Sequence, residues 1–209
     1  MIGERTKLAQ PRRLVFLPGA GGDPSFWQPV ADLLRERAKP VLLGWPGHAG
    51  LPLDSSIAGI GDLAELVLRE MTSPCALVAQ SMGGVVAMIA ALRRPALVSH
   101  LVLVATSGGI DIADLRPADW RESFARDNPS LPRWFIDDST DLTLLVPSIQ
   151  CPTLLLWGDA DPISPVPVAS RLAGLLPDCR VRVFAGAGHD LARTHAVEVA
   201  REVSDHLQL

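Results

Sequence analysis

Positive charge is what this chain most lacks. Its 19 lysines and arginines are outnumbered by 23 aspartates and glutamates, for a formal net charge of -4, so no basic field draws it to nucleic acid or anionic lipid. Cysteine is scarce as well. Cys75, Cys151 and Cys179 are odd in number, far apart and in no C-x-x-C pair, which excludes the usual disulfide, zinc and redox spacings. They read as core or strand-end residues in a reducing compartment. No cluster of His, Cys or carboxylates has metal-ligand spacing, so neither metal nor cofactor is expected. Long apolar runs are missing too: the longest uncharged one, around Val85 to Leu92, is far below the ~18 residues needed to cross a bilayer. Arg12-Arg13 ahead of Leu14-Val15-Phe16-Leu17 superficially resembles a twin-arginine signal, but Pro18-Gly19 ends the run well short of a signal core. The expectation is a cytoplasmic protein acting on a small molecule, with no nucleic-acid or membrane partner. Its oligomeric state is left open.

What is present is an alternation of short apolar runs and helical patterns. Leu14-Leu17, Val41-Leu43, Ala76-Ala79, Leu101-Ala105, Thr153-Trp157 and Val181-Phe184 are strand-like, each bounded by Gly, Pro or charge. Burial on both faces gives runs rather than strict alternation, so these read as central parallel strands. Helical patterns lie between them at Ser25-Arg37, Ile60-Met71, Met82-Leu92, Pro165-Leu176 and Leu191-Leu207. This order predicts an α/β fold, a doubly wound, mostly parallel sheet with helices on both faces. At 209 residues the chain suits one core, residues 1–209 as a single domain.

One segment interrupts the alternation. Residues 108–148 carry no strand pattern and twice as many acidic as basic residues, and their large apolar groups are Trp120, Phe124, Trp134 and Phe135. An insertion between two strands, at the edge where open α/β sheets bind ligands, predicts a short cap over a site. Most of its charges read as solvated. The 120/124 spacing puts two rings on one helix face, and any of the four aromatics is a candidate pocket wall. Phe26 and Trp27 read as helix-core residues, one of which can form a pocket lip; Trp27 is the candidate.

A single serine sits where nucleophiles are made. Cys75-Ala-Leu-Val-Ala-Gln-Ser81-Met-Gly-Gly84 runs into the apolar Val85-Leu92, so Ser81 lies on a turn between a strand and a helix. The turn is walled by Ala79, Gly83 and Gly84, because larger side chains there clash with the backbone crossing it. Ser81 must take a strained dihedral that lifts Oγ clear, and an oxyanion beside it is stabilised by the helix N-terminus.

Ala79-Gln80-Ser81-Met82-Gly83 resembles the nucleophile elbow of the α/β-hydrolases, G-x-S-x-G, with alanine for the first glycine. The resemblance runs from about residue 13 to the C-terminus through four motifs in order. His189, in Gly186-Ala-Gly-His-Asp after the last strand, matches the family's final-loop histidine, with His195 its only near competitor; His48 and His206 read as surface or helix residues and His100 as strand entry. Gly158-Asp-Ala-Asp161 is similar to the family's G-x-x-D turn and implies Asp161 as the acid, with Asp159 the rival that caps the turn. The order Ser81, Asp161, His189 is that of the family. Backbone N–H groups of Met82 and of Ala20, in Pro18-Gly-Ala-Gly-Gly22, are the implied oxyanion donors. Pro18 stands where the common pattern has histidine, which leaves the anchoring of this loop open; the segment also resembles the type II thioesterases of the same superfamily. Trp45-Pro46-Gly47-His48 is similar to the D-x-P-G-x-G turn, with Gly44 for the aspartate, and reads as structural.

The family implies a hydrolase core, here with a reduced N-terminal hairpin, that cleaves a small carboxylic ester through an acyl-enzyme. The alternatives are an acyl-thioester hydrolase, a lyase or C–C hydrolase using the same triad, and a noncatalytic ligand-binding protein. Haloalkane dehalogenases and epoxide hydrolases use an aspartate nucleophile, and Ser81 argues against both. Pro117, Pro129, Pro132 and Pro147 break up long helices in the cap. An open cleft favouring short acyl chains, about two to six carbons, is expected, since each added methylene helps only while wall remains to receive it.

Overall fold

The computed structural model describes residues 11, 13–131 and 134–209, apart from the Phe135 side chain. The region of the expected reduced hairpin, Arg12 and Pro132 lie outside the described residues. Six strands, β1 (Arg13–Leu17), β2 (Lys39–Leu42), β3 (Cys75–Gln80), β4 (Val98–Val104), β5 (Thr153–Gly158) and β6 (Cys179–Phe184), form one sheet in the order β2-β1-β3-β4-β5-β6. Every neighbouring pair is parallel.

The apolar runs divide between the two faces of this sheet. Leu77 and Ala79 of β3 join one core layer with α2 (Ile60–Glu70), α3 (Met82–Arg93) and α6 (Val166–Leu175). Ala76 and Val78 join the other, with α1 (Gln28–Leu34), α7 (Leu191–Thr194) and α8 (Ala196–Leu207). Helix α3 is buried along nearly its whole length, from Met82 to Ala91. Such a helix cannot be amphipathic, which is why its sequence is apolar all round.

The chain places β2 on one side of β1 and then crosses to lay β3 on the other. The carboxyl ends of β1 and β3 therefore flank the point where strand order reverses, the usual position of a crevice in open α/β sheets. Loops after these two strands, those carrying Ala20 and Ser81, meet there.

Two strands, β2 and β6, differ from their expected central position. β6 is an edge strand, with Val181 and Val183 exposed. The arginines alternating with its valines suit this position: Arg180 and Arg182 reach Glu202 of α8 at 3.7 and 3.5 Å, and charged side chains are a common feature of sheet edges. Between β4 and β5 the described residues hold no strand. They form short helices at Ala113–Leu115, α4 (Arg121–Asp127), α5 (Trp134–Asp137) and Val146–Ser148. This segment is tied down by the Ala118 N–H donating to Pro162 O (2.7 Å) and by Arg171 of α6 gripping both carboxylate oxygens of Asp114 (2.6 Å each).

Candidate active site

Ser81 adopts φ 52° and ψ -123° between β3 and α3, a conformation that costs an L-residue energy and must be held by its surroundings. Its N–H donates to Val104 O (2.9 Å), and its carbonyl accepts the Thr106 hydroxyl (2.6 Å) and the Gly84 N–H (2.9 Å). The glycines beside it are needed for closeness. A Cβ on Gly83 would stand 2.4 Å from Pro18 O, and one on Gly84 would stand 2.5 Å from Thr106 Oγ1.

His189 follows β6 on a loop at the same sheet edge. Its Nε2 lies 3.1 Å from Ser81 Oγ and its Nδ1 lies 2.8 Å from Asp161 Oδ2. The Asp161 side chain is fully buried, whereas that of His189 is 20% exposed toward the cleft. The other Asp161 oxygen accepts the N–H groups of Ile163 (2.8 Å) and Ser164 (3.1 Å), which fixes the carboxylate. An ionised carboxylate only accepts, so Nδ1 carries the proton and Nε2 turns a lone pair to the serine hydroxyl. Asp159 is committed elsewhere: its Oδ1 accepts the Gly186 N–H at 2.6 Å and braces the loop that carries His189.

The other histidines are engaged away from Ser81. His195 packs on Phe184 beside Thr194, His48 is buried next to Pro46, and His100 and His206 stack edge to face 5.4 Å apart. Burial lowers the pKa of His100; burial first, then the neighbouring His100 and Arg180, bring His206 down to about 4. All three cysteines are free thiols at or next to strand starts, and burial raises their pKa to about 11 for Cys75 and Cys179 and about 12 for Cys151.

Two lobes of one cleft meet at Ser81 and His189. A lobe of about 340 Å³ runs over the Gly19–Gly22 loop and is walled by Phe26, Trp120, Phe124 and Ile163. The other, about 450 Å³, passes Met82, Val85 and Ile110 and ends among Asp111, Asp138, Asp141 and Arg121. Trp120 and Phe124, 5.5 Å apart and edge to face, thus line the cleft. Trp134 does not; it packs against the core layer of α3. The Phe135 side chain lies outside the described residues. Trp27 is corrected from pocket lip to core: it is fully buried, with its indole N–H on Leu17 O at 2.8 Å, and Phe26 reaches the cleft instead. The backbone N–H groups of Ala20 and Met82 make no hydrogen bond among the described residues, and each residue lines one lobe.

Gln80 and Ile163 carry no warning in the sequence. Gln80 occupies the free position before the serine, yet it is buried and its amide donates to His189 O at 3.4 Å. Ile163 borders both lobes because the acid turn places it there. Among the described residues no group of three or more His, Cys, Asp or Glu is arranged to hold a metal ion, and no helix is long and apolar enough to cross a membrane.

The model of the alpha/beta hydrolase family matches residues 14–145. The pimeloyl-(acyl-carrier protein) methyl ester esterase of Chromobacterium violaceum is 26% identical, with 96% of this chain and 96% of that protein covered. The 2-succinyl-6-hydroxy-2,4-cyclohexadiene-1-carboxylate synthase of Escherichia coli O1:K1 / APEC is 33% identical over 107 residues, which is 49% of this chain and 42% of that protein. A solved thermophilic esterase from Thermogutta terrifontis, with malate bound, superposes with a TM-score of 0.77 at 22% identity, covering 96% of this chain and 90% of its own. At that identity the likeness speaks for the fold.

Proposed function

The chain belongs to the alpha/beta hydrolase family, and we propose that it is a serine hydrolase cleaving small carboxylic esters through an acyl-enzyme. The observation that carries this reading is the unbroken relay at the cleft floor, Ser81 Oγ to His189 Nε2 at 3.1 Å and His189 Nδ1 to Asp161 at 2.8 Å. His189 takes the hydroxyl proton as Oγ attacks the acyl carbon, and Asp161 holds the tautomer and stabilises the imidazolium. The N–H groups of Ala20 and Met82, which have no other acceptor among the described residues, bind the oxyanion. Collapse breaks the ester C–O bond, and the alcohol leaves with the proton from His189. Water, deprotonated by the same imidazole, then releases the acid and restores Ser81.

The methyl ester esterase relative supports ester over other acyl bonds. A lyase or C–C hydrolase reading keeps the same constellation, and the half-length similarity to the Escherichia coli synthase is what keeps a reaction other than ester hydrolysis in view. An acyl-thioester hydrolase is favoured only by the Pro18–Gly22 segment. A panel of p-nitrophenyl esters and acyl-thioesters of graded length separates these readings. Ester turnover that falls on the order of 10⁴-fold or more in Ser81→Ala is expected. Turnover retained within tenfold in a contaminant-free Ser81→Ala preparation refutes the nucleophile, and faster thioester than ester cleavage moves the function to the second class.

A further inference from the structure

Two departures from the family's pattern, Pro18 for histidine and Gly44 for aspartate, meet at one place in the fold. The loop after β1 is closed by the Gly22 N–H donating to Gly19 O at 3.1 Å. The same Gly19 oxygen accepts the indole N–H of Trp45 at 2.9 Å, and the Trp45 backbone N–H donates to Gly22 O at 3.0 Å. Trp45 thus grips the loop at both ends, with Ala20 between. Its side chain is almost wholly buried, so the grip is not shared with solvent. Gly44 makes this approach possible: a Cβ there would stand 2.9 Å from Gly22 O, 2.8 Å from Pro24 Cδ and 2.5 Å from Leu51 Cδ1.

We infer that Trp45 is a positioning residue that aims the Ala20 N–H at the oxyanion, supplying the anchoring that the histidine absent at position 18 leaves open. This role depends on the proposed serine-hydrolase reading and follows from peptide planarity. Gly19 C=O and Ala20 N–H belong to one peptide unit, planar and trans, so they point in opposite directions. Holding the oxygen with an indole N–H therefore sets where the N–H points. A loop with glycines at 19, 21 and 22 has wide backbone freedom of its own, and an oxyanion donor is effective only when aimed before charge develops. A bond to the carbonyl also polarises the peptide, which strengthens its N–H as a donor.

The test pairs Trp45→Phe with Trp27→Phe. Both remove a ring and one buried indole N–H bonded to a backbone carbonyl, but Trp27 holds Leu17 O at the end of β1, outside the loop. Each variant is assayed for melting temperature, for kcat and KM on a short p-nitrophenyl ester, and for affinity toward a trifluoromethyl ketone, whose tetrahedral adduct places an oxygen in the oxyanion position. Trp45→Phe should lower kcat about 10- to 100-fold, less than loss of a whole donor because Gly22 still holds the carbonyl, with KM within about twofold. Ketone affinity should fall by a similar factor. Trp27→Phe should lose comparable melting temperature and little kcat. A kcat loss in Trp45→Phe no larger than in Trp27→Phe, or unchanged ketone affinity, overturns the inference. Should Trp45→Phe not fold, Gly44→Ala carries the test: it pushes on Gly22 O without removing the indole and must lower kcat and ketone affinity together, or the inference fails. Wild-type protein that neither turns over esters nor binds the ketone sinks the underlying serine-hydrolase reading as well, whereas an active wild type with an indifferent Trp45→Phe removes Trp45 alone.

Discussion

Replacing Asp161 by asparagine should disable the site through a tautomer rather than through unfolding. In the native protein one carboxylate oxygen accepts two backbone N–H groups, from Ile163 at 2.8 Å and Ser164 at 3.1 Å, while the other accepts His189 Nδ1–H at 2.8 Å. The asparagine amide has one acceptor and one donor end. With its oxygen on the two N–H groups, its NH₂ faces Nδ1, which must then be a bare acceptor, and the imidazole proton moves to Nε2, where it cannot take the serine proton. The opposite orientation restores the productive tautomer but sets the NH₂ against two buried donors. At about 1–3 kcal/mol for each buried donor left without a partner, the productive arrangement lies roughly 2–6 kcal/mol uphill. At ~1.4 kcal/mol per tenfold this is between about 30-fold and 10⁴-fold in kcat, the upper end being what the same change costs in a serine protease triad. Melting temperature should change little, because the two backbone bonds survive. Asp159→Asn should stay within about tenfold, since its amide oxygen still accepts the Gly186 N–H. Both variants are measured on a short p-nitrophenyl ester alongside thermal melting. A larger loss in Asp159→Asn, or small and equal losses, would refute the assignment of the acid.

Stability should fall on mild acidification. His206, lowered to about 4 in the fold, and His100, also lowered, are held neutral, whereas the unfolded chain takes up their protons near pH 6.5. The unfolded state binds more protons between these values, so the stabilisation is complete above about pH 6.5 and is lost as pH falls toward 4, by about 3 kcal/mol for His206 alone. Urea titrations should show this slope, and an unchanged slope in His206→Phe would contradict it. Gly83→Ala brings a Cβ to 2.4 Å from Pro18 O and 2.8 Å from Leu17 O; since both are backbone, we expect a loss of about 1–3 kcal/mol in stability with most of the activity gone, and a fully active Gly83→Ala would show that the elbow has slack. In a p-nitrophenyl ester series from acetate to palmitate, kcat/KM should rise about fourfold per methylene at first and level off by about six carbons, because the aromatic lobe of about 340 Å³ is open; a continued rise beyond C10 would refute this.

What was legible in the sequence follows from what is local. Continuous apolar runs marked all six strands, because parallel strands under helices on both faces leave no polar alternation. The exception in degree is β6, whose Arg180 and Arg182 announced an edge that the valines between them obscured. Ser81, His189 and Asp161, which the structure brings into one chain of contacts, were readable because each lies in a short motif just past a strand. Side-chain direction was less so. Phe26 and Trp27 are neighbours on one helical turn, and which faces the cleft depends on Leu17 O accepting an indole. Trp120 and Phe124 share a face, as their spacing required, but Trp134 packs against the core layer of α3, a contact between segments that its own neighbours in sequence do not record. The hold of Trp45 on Gly19 joins segments 26 residues apart, and no local pattern records such a contact.

Whether Ser81 is a nucleophile activated by His189 is decided by fluorophosphonate labelling followed by peptide mass mapping. We expect a single covalent phosphonyl adduct on Ser81, formed within minutes, absent in Ser81→Ala and slowed by orders of magnitude in His189→Ala. Folded wild-type protein that stays unlabelled, or labelling that persists in Ser81→Ala, would contradict this role.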